Sequence, residues 1–342
     1  MEVIGTVVVY LIMACALLGA IAAAVRPESE LGQQFVAGID SIGPIFLPTA
    51  GILAAAPFFT AFVSHVFGPV FGALGADPAM AATTIVAVDM GGYQLADALA
   101  QTREAWIMAM FTGYMAGATI VFTIPVALKM LEKRDQKYLA LGAMSGFLAI
   151  PVGVAVASVV VALTNPLIRE TVSTNGEATY QLALTFGQIL HNLVPLTIIC
   201  VALALGLMFK PDAMIRGFIA FGRVMDAALK IIFVLAVIEY FTGIFTTLFG
   251  SFGLDPIIAD EQNCFRALEV AGAIGIMLCG AFPMVWLVRR YLARPLERIG
   301  GAFGLSADAT AGILAGSANV LALLKMIKDM RARDKVICLS YG

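Results

Sequence analysis

Residues 3–25 read VIGTVVVYLIMACALLGAIAAAV, with no charged residue from one end to the other. As a helix this stretch is about 35 Å long, enough to cross the roughly 30 Å hydrocarbon core of a bilayer. Two later stretches have the same character. Tyr138–Leu163 carries no charge, and Leu182–Phe209 has His191 but no Asp, Glu, Lys or Arg. Over the 342 residues 61% are hydrophobic and 13% charged, against about a quarter charged in ordinary soluble domains. A soluble core cannot hide that much apolar surface, so the predicted fold is an all-α polytopic bundle. The first stretch lacks a basic n-region and is longer than the apolar region of a cleaved signal peptide, so it reads as a retained first helix.

Working outward, apolar blocks near 3–25, 41–66, 78–98, 105–128, 138–163, 182–209, 217–250 and 267–288, with a weaker one near 309–324, predict about nine helices in a single membrane domain over 1–342. The two longest irregular connections are 165–181, which contains Asn175-Gly176, and 251–262, which carries Asp255, Asp260 and Glu261. Basic residues cluster at Lys129, Lys133, Arg134 and Lys137, at Lys210 and Arg216, and at Arg289, Arg290, Arg294 and Arg298. The positive-inside rule puts these clusters and the N-terminus in the cytoplasm and both irregular loops outside. Lys325–Lys335 breaks the pattern. Either 309–324 is re-entrant, or the span count is off by one.

Several function classes drop out. A net charge of −2 gives no reason to expect a nucleic-acid partner. Cys15, Cys200, Cys264, Cys279 and Cys338 are scattered without metal-ligand spacing and read as small core residues, so neither a metal site nor another cofactor is expected. There is no His-Glu-x-x-His, Gly-x-Ser-x-Gly or Walker loop, which argues against an enzyme and against a self-powered pump.

The chain also resembles itself. When Gly43 is aligned with Gly272, Gly43-Pro-Ile45 faces Gly272-Ala-Ile274, Gly51 faces Gly280, and Gly72–Gly75 faces Gly301–Gly304. After a slip of one or two residues Asp77 meets Asp308, and the stretch ending at Asp89 meets the stretch ending at Asn319. Small residues are common between packed membrane helices, so chance is the competing explanation. Because the matches run through two successive spans, we read a duplication of approximately 41–100 by 270–330, in parallel orientation, as transporters use to build a site between related halves.

An ionisable group inside an apolar block costs about 2.5–3.5 kcal/mol even on the mildest insertion scale, so each one needs a reason. Asp89 is the clearest. It lies in Ile85-Val-Ala-Val-Asp-Met-Gly-Gly-Tyr93, where Gly91 and Gly92 favour an unwound turn. A carboxylate, freed carbonyls and Tyr93 together suit a small organic cation. The alternative is that Asp89 pairs with a basic residue on another span and locks the bundle. Asn319 is its partner in the duplication and a candidate for a substrate hydroxyl. Glu239, Glu269 and His191 are candidate ion-coupling groups, with ordinary packing as the competing role for each. Glu269 can pair with Arg266, and Arg223, Asp226 and Lys230 share one helix face. Pro125, Pro151, Pro195 and Pro283 mark kinks or breaks.

Val88-Asp-Met-Gly-Gly-Tyr93, Ala118–Leu128, Tyr138–Gly142, Ile150-Pro-Val-Gly153, Gly253–Ile257, Arg266–Val270 and Gly280–Met284, in that order, resemble the ethanolamine transporter (EutH) family. The resemblance implies a multi-pass permease of the bacterial inner membrane that imports ethanolamine for catabolism. Ethanolamine is a protonated amine with one hydroxyl, in keeping with a cation site at Asp89. Members of the family usually continue past the region of Asp334–Ile337 into more apolar sequence, so the chain is expected to be a C-terminally shortened member. Homo-oligomers are compatible with the sequence. Two other readings are a permease for another small polar solute, and a non-transporting sensor or scaffold that holds partners through Lys325–Lys335.

Overall fold

The computed structural model describes residues 2–170, 177–261, 263–302, 304–318 and 320–341. In chain order the helices are α1 (Glu2–Val25), α2 (Glu30–Asp40), α3 (Ile42–Ala54), α4 (Ala56–Val66), α5 (Gly68–Ala73), α6 (Pro78–Ile85), α7 (Gly92–Leu99) and α8 (Arg103–Thr112). They continue with α9 (Ile124–Met130), α10 (Gln136–Thr164), α11 (Phe186–Phe209), α12 (Pro211–Thr242), α13 (Ile244–Phe249), α14 (Ala267–Ala302), α15 (Ala307–Ala318), α16 (Val320–Met326) and α17 (Ala332–Tyr341). Among the described residues strand is confined to one two-residue antiparallel pair, Leu167–Ile168 with Tyr180–Gln181. The protein is thus an all-α membrane bundle. Five segments, Thr6–Val25, Glu30–Ala54, Lys133–Thr164, Phe186–Phe209 and Ala267–Tyr291, are long and apolar enough to cross a bilayer. Their outward faces carry large apolar side chains, such as Leu11 and Leu17 on α1, Val152 and Val156 on α10, and Leu190 and Ile198 on α11. Stripes of this size suit lipid contact, and water would penalise them.

The residues group into two compact units, one made of 1–44, 127–142 and 270–342 and the other of 45–126 and 143–269. In the second unit, the segment 78–98, expected as one span, folds as two short helices. Asp77 opens α6 as its N-cap, accepting from the Ala79 amide at 2.9 Å, with Pro78 in the first turn where a missing N–H is harmless. The ladder of α6 stops where the Val86 amide donates to the Ala82 carbonyl, and that of α7 starts where Leu95 donates to Gly91. Val86 and Ala87 are extended, a single 3₁₀ turn covers Val88–Met90, and Gly91 sits at φ +93°, in the left-handed region that favours glycine. The chain reverses there. The other carboxylate oxygen of Asp77 accepts the Gln101 amide at 2.9 Å just beyond α7, so both ends of the hairpin meet at one residue.

This hairpin is enclosed by protein. Ala79 to Thr84 are all buried. Gly113 and Gly117 lie on a π-helical turn between α8 and α9, and a Cβ at Gly117 would come to 2.5 Å from the Val86 carbonyl oxygen. The small-x-x-x-small pattern of Gly113–Gly117 therefore serves close backbone approach. At the mouth, buried Asn192 of α11 accepts from the Asp77 amide at 2.8 Å, and Glu104 of α8 accepts from Tyr180 Oη at 3.0 Å.

A second hairpin, α15–α16, lies in the other unit. Gly312 and Gly316 of α15 face Leu323 of α16, and Ser306 before α15 donates to the buried Asp334 carboxylate at 2.7 Å. The segment expected as a weak span at 309–324 folds as two short helices, α15 and α16, packed against each other. Buried Lys335 donates to buried Asp135 at 2.7 Å and to the Lys328 carbonyl at 3.1 Å, which brings the C-terminal basic stretch to the end of α10 where Lys133, Arg134 and Lys137 stand.

Two outcomes are expected from this packing. Lys335→Met leaves the buried Asp135 carboxylate with only the exposed Arg134 guanidinium, at 3.9 Å, as an ionic partner, which costs about 3 kcal/mol, whereas the double variant Asp135→Leu/Lys335→Met recovers most of that loss in a detergent melting experiment. Gly117→Leu has no room against the Val86 carbonyl and lowers the melting temperature by more than Gly187→Leu, a position with open space around it.

Candidate functional site

The turn that joins α6 to α7 interrupts the helical ladder inside the second unit. Its backbone is fixed from two sides. Buried Thr49 of α3 donates its hydroxyl to the Asp89 carbonyl at 3.1 Å, and Ile52 and Leu53 of the same helix pack against the Gly91 position, where a Cβ would meet Ile52 at 3.1 Å. At Gly92 any side chain would strike the Ala87 carbonyl oxygen at 2.6 Å, because the Gly92 amide donates back to that carbonyl at 2.9 Å. The residue pair expected from sequence to unwind the helix does so for two separate reasons, a left-handed φ at Gly91 and backbone contact at Gly92.

While Val86, Ala87, Gly91 and Gly92 are buried, the Asp89 side chain is exposed. None of the ion pairs among the described residues includes it. The locking partner that would have given Asp89 a purely structural role is not present among those residues. A carboxylate held on a rigid turn, open on one side and lacking a cationic partner, can accept a positively charged ligand by ion pairing and hydrogen bonding.

Tyr93 stands in the first turn of α7. Its ring lies 4.9 Å from that of buried Trp106, whose indole nitrogen donates to the Tyr93 carbonyl at 3.2 Å, and the Arg103 guanidinium lies 4.7 Å from the Trp106 ring. One side of Tyr93 is therefore used in packing. Asn319 lies outside the described residues.

The three groups considered for ion coupling sit elsewhere. Glu239, near the end of α12, accepts the backbone amides of Phe245 at 2.9 Å and Thr246 at 3.2 Å together with the Thr246 hydroxyl, which caps the short α13. Glu269 accepts the backbone amides of Arg266 and Ala259, both at 3.2 Å, and so closes the first turn of α14 and holds the preceding loop. The pairing expected between Glu269 and Arg266 is replaced, since the Arg266 guanidinium binds Asp260 at 2.7 Å. His191 is exposed near the start of α11 with its ring against the Gly75 position, on the mouth side of the hairpin. The length of α6, about 12 Å, separates that side from the Asp89 turn. His65 is exposed near the end of α4. Asp226 and Lys230 do pair along α12, at 2.7 Å and well exposed. No cluster of metal-ligating side chains occurs among the described residues.

Sequence reasoning missed Thr49 and Leu53 as residues against the turn, and Asp77 and Asn192 as the residues that close the mouth of the hairpin. Asp77-Pro78 carried a legible signal, an N-cap followed by proline at the first helical position, and it marks the start of a helix too short to span. Thr49 and Asn192 had no local signal, because their roles depend on partners 40 and 115 residues away.

Comparison with known proteins agrees with this architecture. A profile of the family described as "Ethanolamine utilisation protein, EutH" matches residues 4–342. The protein named "Probable ethanolamine permease EutH" from Listeria monocytogenes is 36% identical over 99% of this chain and 83% of its own length. Its namesake in Salmonella typhimurium is 38% identical over 91% of this chain and 74% of its own, and the protein YxeR of Bacillus subtilis, named as uncharacterized, is 31% identical over 99% of this chain. No solved structure matches the chain. With its helical membrane architecture and a match that runs almost from end to end, the chain belongs to the EutH family of ethanolamine utilisation proteins.

Proposed function

We propose that this protein is a permease that carries ethanolamine, as the protonated amine, across the bacterial cytoplasmic membrane, with Asp89 as the group that receives the ammonium. One observation carries the reading: an exposed carboxylate without an ion pair stands on a broken-helix turn that Thr49, Gly91 and Gly92 hold rigid inside a membrane bundle. A fixed charge of this kind needs no reorganisation when the cation arrives, which favours binding. The names of the relatives supply the cargo, and the chemistry of the turn suits it.

Both irregular loops lie on the mouth side of the α6–α7 hairpin, since Tyr180 binds Glu104 and the 251–265 loop lines a cavity with Asp97 and Ala98 of α7. Lys210 and Arg216 follow the far end of α11 from Asn192, which stands at that mouth. With the basic end in the cytoplasm, the hairpin opens to the outside and presents Asp89 part-way into the membrane. The α6–α7 and α15–α16 hairpins support the duplication inferred from sequence, with Asn319 as the counterpart of the Asp89 turn. In the handle of the scaffold alternative, Lys325–Lys335, Lys335 is buried against Asp135 while Lys325, Lys328, Arg331 and Arg333 are exposed.

Uptake of labelled ethanolamine into cells tests the reading. At low pH and low substrate, where free diffusion of the neutral amine is smallest, wild-type protein gives saturable uptake. Asp89→Asn raises the half-saturation concentration by roughly ten-fold or more, the loss of a charge-assisted hydrogen bond, and Asp89→Glu recovers part of it. Saturable uptake with an unchanged half-saturation concentration in Asp89→Asn would remove Asp89 from the site.

A further inference from the structure

A cavity of about 300 Å³ opens beside the mouth of the α6–α7 hairpin, and its polar lining is Gln94, Asp97, Asp255, Asn263 and Arg266. It is distinct from the Asp89 turn, although the two share a wall. Leu53 lines the cavity and also packs against the Gly91 position.

The charges in this cavity do not cancel. Asp97 is held by Arg103 at 2.5 Å and Arg266 by Asp260 at 2.7 Å, so each is neutralised locally. Asp255 makes no ion pair among the described residues, and its backbone amide, donating to the Ala54 carbonyl at 2.8 Å, fixes it against the end of α3. Two further groups are buried without a partner: the side-chain oxygen of Gln94, an acceptor, and Nε of Arg266, a donor. Such atoms are rarely left unmet unless a water or ligand supplies the bond. The cavity is therefore lined by one carboxylate without an ion pair among the described residues and by Gln94 and Arg266, each with an unmet polar atom buried in the wall, around a space about ten times the share of one water molecule.

We infer that this cavity is an outer capture site for the same class of cargo, a small protonated amino alcohol. Its ammonium binds Asp255 and the Gln94 oxygen, and its hydroxyl oxygen accepts from Arg266 Nε. Leu53 stands between this cavity and the Gly91 position. Burial pushes the Asp255 carboxyl above the ordinary carboxylate range, an effect that Asp260 adds to and the Arg266 guanidinium opposes. A bound cation relieves that cost, as expected of a group built to receive one. The inference rests on the permease reading for the identity of the cargo but not on Asp89.

Calorimetric titration of ethanolamine hydrochloride into the purified full chain in detergent tests it. Wild-type protein shows two classes of site. Asp89→Asn retains one of them, and adding Asp255→Asn to that variant weakens the retained binding by roughly ten-fold or more. Gln94→Leu on the Asp89→Asn background, which removes the acceptor without touching a charge, also weakens it and serves alone if the Asp255 variant does not elute as a folded species. Ethylene glycol, of similar size but uncharged, does not compete. Retained binding that is indifferent to both substitutions, no retained binding in Asp89→Asn, or equal competition by the glycol would each overturn the capture site. Failure of the permease reading looks different, because it leaves binding at the cavity intact while uptake is unsaturable or insensitive to Asp89.

Discussion

At membrane depth a backbone amide or carbonyl outside its helical ladder has no water to turn to, and each such group left unmet costs several kcal/mol. The interruption between Val86 and Gly91 is covered by protein on its buried side, and part of the packing in this unit serves that cover. Gly113 and Gly117 bring a neighbouring backbone against the break, Thr49 bonds the Asp89 carbonyl, and Gly92 folds its amide back onto Ala87. The glycines and small residues that make the chain look unspecific along its length are what allow this close wrapping.

The same arrangement explains how the hairpin stays shut at its base. Asp77 receives amides from Ala79 and Gln101 with its carboxylate, while its own amide is received by Asn192 of α11. One residue thereby ties the beginning and end of the hairpin to a long neighbouring helix.

Asp135 and Lys335 do comparable work in the other unit. A buried pair adds little net stability compared with apolar residues of the same volume, but it enforces one geometry. Here the geometry fixes which end of α10 the C-terminal basic stretch adjoins, and with Ser306 bound to Asp334 it closes the base of the α15–α16 hairpin.

Membrane residence, helical class and the unwinding at Gly91-Gly92 were legible in the sequence, because charge-free length and glycine's freedom at positive φ act locally. Asp89 could be singled out for the same reason: an ionisable group in an apolar block is conspicuous whatever surrounds it. The roles of Glu239 and Glu269 were not legible. A carboxylate that caps a helix looks the same along the chain as any other, and only the fold brings the amides of Phe245, Thr246, Ala259 and Arg266 to these two. Nor could the sequence alone distinguish a span at 78–98 from two helices that return to the same side. That outcome depends on Asp77 reaching Gln101 and on Asn192 and Gly117 arriving from elsewhere in the fold, contacts that tertiary structure alone creates.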